Sequence, residues 1–133
     1  MSDALLKQAN SLLQFGRRPE ALFCYDSYLK AHPESAEAWH NLGVTLSQMR
    51  RFPEAIPAFD KALKLRPDSA QTWANRGNSL IELKRFEEAI DSYDSALALN
   101  PEFPNARGYR LLAKLSCCDW RALKEEREHA RDE

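Results

Sequence analysis

Residues 36–69 read AEAWHNLGVTLSQMRRFPEAIPAFDKALKLRPDS, and residues 70–103 read AQTWANRGNSLIELKRFEEAIDSYDSALALNPEF. The two stretches align without a gap and agree at 15 of 34 positions. Trp39 pairs with Trp73, Asn41 with Asn75, Gly43 with Gly77 and Leu46 with Leu80. Arg51-Phe52 pairs with Arg85-Phe86, and Glu54-Ala55-Ile56 with Glu88-Ala89-Ile90. Asp60, Ala62, Leu63, Leu65 and Pro67 find Asp94, Ala96, Leu97, Leu99 and Pro101. Identity this dense at one fixed offset is an internal repeat, and the repeat decides the architecture.

Within a unit the apolar spacing is helical. Trp39, Leu42, Gly43 and Leu46 form one 3–4 stripe, and Ala55, Phe59, Ala62 and Leu63 form a second. The break at Arg50-Arg51 separates two helices, with Pro53 suited to the first turn of the second. Pro67 and Pro101 close their units, because the residue before proline is pushed out of helical geometry. Pro57 is expected to start or bend its helix rather than sit within it. Glycine inside a helix costs about 0.5–1 kcal/mol relative to alanine. Gly43 and Gly77 therefore imply a close helix–helix approach, expected opposite Ala55 and Ala89. Trp39, Phe59, Trp73 and Tyr93 are expected to fill the layers between units.

Working outward, the same phase continues faintly to residue 2, where Ala9, Leu12, Ala21, Tyr25 and Pro33 fall in register. Beyond residue 103 only a remnant survives, with Arg107 at the tryptophan position and Leu111 at the glycine position. The chain thus divides into units 2–35, 36–69 and 70–103 and a helical cap over 104–133, together one domain, 1–133. In the cap Ala106, Tyr109, Leu112, Ala113 and Leu115 should cover the last unit's open edge, with Trp120 and Leu123 adding a second contact. The charged run from Lys124 to Glu133 supplies the polar outer face that a solenoid end requires.

Composition narrows the function. The 133 residues are 44% hydrophobic and 29% charged, and 19 basic against 20 acidic residues leave a net charge of −1. That balance lacks the basic excess that nucleic acid or an anionic membrane surface demands. The start, Met-Ser-Asp-Ala-Leu-Leu-Lys-Gln, has no signal-peptide character, and Cys24, Cys117 and Cys118 have no disulfide or zinc spacing. A reducing cytoplasm is the natural setting, and neither a metal nor a cofactor is expected. There is no phosphate loop, nucleophile elbow or paired catalytic histidine, so the chain is not expected to be an enzyme. His32 falls in a turn and His129 in the charged tail.

Helical phase leaves one face of each first helix for binding. That face carries Asp3, Leu6, Asn10 and Gln14 in the first unit, then Glu37, His40, Asn41, Val44 and Gln48 in the second. The third unit gives Gln71, Ala74, Asn75, Asn78 and Glu82, and the cap Asn105 and Tyr109. The candidate binding residues are Asn10, His40, Asn41, Gln48, Asn75 and Asn78. A carboxamide offers donors and an acceptor, which suits the peptide unit of an extended protein segment. The same asparagines could instead bond neighbouring helices and fix the superhelical twist.

Trp39-x2-Leu42-Gly43-x2-Leu46 with Ala55, Phe59, Ala62 and Pro67 resembles the tetratricopeptide repeat signature. Trp73, Gly77, Leu80, Ala89, Tyr93, Ala96 and Pro101 repeat it, with Arg76 in place of the leucine. The resemblance implies an all-α fold, a right-handed α-solenoid of antiparallel helix pairs whose first helices line a concave groove. It implies a protein-interaction module, with self-association through an open repeat edge as a further outcome. Family versions that bind acidic chaperone tails use a clamp of lysine, two asparagines, lysine and arginine. Asn10 and Asn41 match the clamp's asparagines, but its cations fall on Leu6, Gln71 and Asn75, so no clamp-type binding is expected. Asn41-Leu42-Gly43 and the stretch Leu115-Ser116-Cys117-Cys118-Asp119-Trp120 also resemble O-GlcNAc transferase-like proteins. That likeness implies, as an alternative, the substrate-docking part of a larger glycosyltransferase.

Overall fold

The computed structural model describes residues 2–117. Six helices alternate in three hairpins: α1 (Ser2–Gln14) with α2 (Arg18–Ala31), α3 (Ala36–Gln48) with α4 (Phe52–Leu65), and α5 (Ala70–Glu82) with α6 (Phe86–Leu99). A seventh helix, α7 (residues 106–117), follows. This is the all-α helical-repeat solenoid expected from the period. Among α1–α6, α1 touches α3 and α3 touches α5, whereas α2, α4 and α6 do not reach one another. The stack therefore curves with α1, α3 and α5 on its inner side.

Each turn is built by the same residues in successive units. Ser35 and Ser69 cap α3 and α5, their side chains accepting from the backbone N–H groups of Ala38 and Thr72, both at 3.3 Å. Gly16, Arg50 and Lys84 end the first helices in the left-handed region, at φ of 78°, 60° and 60°. There the N–H groups of Arg17, Arg51 and Arg85 bond back to the carbonyls of Leu12, Leu46 and Leu80 at 2.8–2.9 Å. The same three arginines open the second helices, each pairing with a glutamate three residues on: Glu20, Glu54 and Glu88.

The core follows the period with three corrections. The fully buried aromatics are Tyr25, Phe59 and Tyr93, all at 0% exposure. Trp39 and Trp73 are only half-buried, because their indole N–H groups reach out to the carbonyls of Pro33 (2.8 Å) and Pro67 (3.0 Å) in the turn before. The glycines face rings rather than alanines: a Cβ at Gly43 would lie 2.6 Å from Phe59, and one at Gly77 would lie 2.8 Å from Tyr93. Pro57 sits inside α4 on its exposed side and does not begin the helix.

The aliphatic expectation for the cap holds only in part. Ala106 and Ala113 are buried against Leu80, Ala89 and Tyr93, whereas Leu112 and Leu115 remain exposed. Cys118, Asp119, Trp120, Leu123, His129 and the charged run Lys124–Glu133 lie outside the described residues. No described helix is long and apolar enough to cross a membrane.

Candidate functional site: an amide-lined groove on the inner face

Because α3, α5 and α7 succeed one another along the stack, the surfaces between them form a groove with two clefts. The first, about 290 Å³, lies between α3 and α5 and is lined by Val44, Gln48, Phe52, Phe59, Ser79 and Glu82, among others. The second, about 320 Å³, lies between α5 and α7 and includes Gln71, Tyr93, Phe103, Pro104, Asn105 and Tyr109. Asn75 and Asn78 line both, so the two clefts meet at this pair. Asn105, at φ 66°, turns the chain into α7 and places Tyr109 across from α5.

The six candidate residues do not form one site. Gln48, Asn75 and Asn78 line the joined clefts. Gln48 is held from below by Arg18, whose Nε donates to its Oε1 at 2.9 Å. Asn10 and Asn41 lie at the other end of the inner face and bond each other, Asn41 Nδ2 donating to Asn10 Oδ1 at 2.9 Å. Asn10 also accepts the Tyr25 hydroxyl and donates to Glu37 Oε1 at 3.3 Å. These two asparagines tie α1, α2 and α3 together. His40 lines a separate cleft of about 140 Å³ with Arg66, Ser69 and Thr72, and its Nδ1 lies 2.8 Å from Thr72 Oγ1. Burial holds its imidazole below the ordinary value of 6.5, with the Glu37 carboxylate pulling the other way.

Asn78 has a partner of its own, since it accepts the hydroxyl of Tyr93. Burial drives the phenols of both Tyr25 and Tyr93 well above their usual range, so they stay protonated donors. Asn75 Oδ1 accepts from Gln71 Nε2 at 3.3 Å. Ser47 and Ser79 face each other across the first cleft at 2.8 Å, and Arg50 Nη2 reaches Glu82 at 3.2 Å on its rim. Among the described residues no cluster of His, Cys, Asp and Glu is arranged to hold a metal ion.

Sequence reasoning did not place Ser47, Ser79, Tyr93 and Phe103 in the groove. Tyr93 reads as pure core, yet its ring also walls the second cleft. Phe103 carried a usable signal, because it stands where the two preceding units have the capping serines Ser35 and Ser69. An aromatic residue cannot cap a helix, so its presence there asks for another role.

Comparison with known proteins returns the same architecture. The first TPR of Spaghetti (RPAP3) bound to the HSP90 peptide SRMEEVD is 21% identical over 88% of this chain and 93% of that one, with a TM-score of 0.85. The Arabidopsis OM64 TPR domain is 20% identical over 84% and 93%, with a TM-score of 0.81. The TPR2B domain of yeast Sti1 in its pHsp70 complex is 21% identical over 89% and 97%, at 0.77. At such identities the likeness is one of fold. No curated protein matches the sequence significantly. Family models described as tetratricopeptide repeat match residues 40–107, more than half of the sequence, and residues 2–45. With its 34-residue period, its paired helices and these matches, the chain belongs to the tetratricopeptide-repeat family.

Proposed function

We propose that this chain is a non-catalytic interaction module that holds an extended protein segment in its concave groove. The observation that carries the reading is the pair of clefts on the inner face that share Asn75 and Asn78, lined by amides and hydroxyls together with apolar residues such as Val44 and Phe103. The solved repeat domains that carry the HSP90 peptide SRMEEVD and the HSP70 peptide SGPTIEEVD support a peptide as the ligand class. Their acidic tails do not suit this groove, where Leu6, Gln71 and Asn75 stand at the clamp's cation positions. Each missing charge-assisted hydrogen bond removes about 1.5–3 kcal/mol.

The reading as a docking part of an O-GlcNAc transferase-like glycosyltransferase draws no support from the comparisons. Asn41, which carries part of that likeness, is engaged with Asn10. Panning the immobilised chain with a random-peptide library tests the groove directly. Peptides are expected to enrich on the wild type and to lose affinity on a Gln48→Ala, Asn75→Ala variant of normal helicity. Unchanged binding by that variant removes the groove as the site.

A further inference from the structure

We propose that the cleft around Asn75 and Asn78 selects an uncharged, extended segment, held by its backbone carbonyls and by one apolar side chain laid against Tyr109. This rests on the groove reading above and adds to it the chemistry of the ligand.

The polar part follows from which atoms the protein already uses. Asn75 Oδ1 accepts from Gln71, and Asn78 Oδ1 accepts from the buried Tyr93 hydroxyl. Each oxygen already has one donor within the protein, so the two side-chain NH₂ groups are the donors this pair offers a ligand. A peptide carbonyl is the acceptor every residue supplies, whatever its side chain.

The apolar part is the wall formed by Tyr93, Phe103, Pro104 and Tyr109. Tyr93 and Tyr109 stack with ring centroids 6.2 Å apart and planes at 18°. Tyr109 leaves 44% of its surface exposed at the mouth of the cleft. An aliphatic, aromatic or proline side chain laid on that ring removes apolar surface from water on both sides.

Charge decides between ligand classes. Glu82 is the one charged residue lining either cleft, and Arg50 pairs with it at 3.2 Å. A carboxylate entering the cleft finds no cation in the lining, and an ammonium or guanidinium competes with Arg50 for Glu82. A carboxylate gives up its ionic hydration with no cation to replace it and a cation must share Glu82 with Arg50, whereas a neutral side chain has no ionic hydration to lose.

The peptides enriched by panning the full chain are measured by fluorescence polarisation. The expected winners carry no charge across the bound stretch and include an aliphatic, aromatic or proline residue. Their affinity is expected to change less than about twofold between about 50 mM and about 500 mM salt. Tyr109→Ala should weaken them at least about tenfold, while Tyr109→Phe, which keeps the ring, binds as the wild type does. Winners rich in Asp, Glu, Lys or Arg, or an affinity that falls steeply with salt, overturn the neutral-ligand inference and leave groove binding standing. Full affinity in Tyr109→Ala overturns the anchor. Winners indifferent to Gln48→Ala, Asn75→Ala overturn the groove itself, and a library that yields none overturns both.

Discussion

A phenol buried at 0% exposure must donate its proton to something, and this chain answers that demand the same way twice. Tyr25 bonds Asn10 and Tyr93 bonds Asn78, each fifteen residues earlier on the facing helix. In the middle unit the equivalent pair is Phe59 with Val44, so hydroxyl and carboxamide disappear together. The repeat thus contains its own control experiment. Asn78→Val alone leaves the Tyr93 hydroxyl unsatisfied and is expected to cost about 1–3 kcal/mol in urea unfolding. Adding Tyr93→Phe recreates the middle unit and should recover most of that loss, and a double variant no more stable than Asn78→Val sinks the coupling. His40 makes a second prediction. Its folded value is lowered, so the unfolded chain takes up the proton first as pH falls. Its contribution is fully present above pH 6.5 and is lost progressively below it. Unfolding midpoints of wild type and His40→Gln, compared at pH 7.5 and about pH 5.5, should draw together in acid. A constant difference between them removes the assignment.

The helices owe their ends to devices repeated at the same offset, and the prolines among them make the elements legible in the sequence. Pro33 and Pro67 close units, Ser35 and Ser69 cap, and Arg51 and Arg85 each pair a glutamate at the start of the next helix. Pro57 is the exception, since it lies within α4 and removes the hydrogen bond its N–H would have made to Pro53. The corresponding residue of α6 is Asp91, which keeps its N–H. Pro57 is exposed, so Pro57→Ala restores that bond without disturbing the core and should stabilise the chain by up to about 3 kcal/mol. Equal unfolding midpoints for the two proteins contradict the account. The groove was harder to read than the helices for a physical reason. Period and phase place a residue on a face, but the partner that consumes its hydrogen bonds comes from another helix. Asn10, Asn41 and Asn75 look alike along one inner stripe. Only packing shows that the first two hold each other and the third opens into a cleft.

Across the molecule, charge is used to fasten repeats and is scarce in the groove, where Glu82, paired with Arg50, is the one charged residue of the lining. Arg76, 17% exposed, reaches Asp60 of the preceding unit at 2.7 Å and Ser92 of its own at 2.6 Å. One period later Arg110 pairs with Asp94 in the same sense, fastening α7 to α6. Arg76 occupies the position where the family has leucine, so a departure from the signature has become a brace between neighbours. Since each unit of a solenoid contacts only the next, such braces act locally and add along the stack. The near-zero net charge is a balance of 19 basic and 20 acidic residues, almost none of which lines the groove. It predicts a binding surface that can be converted by adding cations alone. The wild type should show no measurable affinity for an acidic peptide with a free C-terminal carboxylate. Gln71→Lys with Asn75→Arg supplies two of the three missing cations at exposed or half-exposed positions and leaves Leu6 in its packed place. That variant should gain at least about tenfold in affinity for the acidic peptide, with the gain shrinking at high salt. Calorimetric titration of both proteins measures the difference. Micromolar binding by the wild type, or no gain in the variant, means that features other than charge govern what this groove accepts.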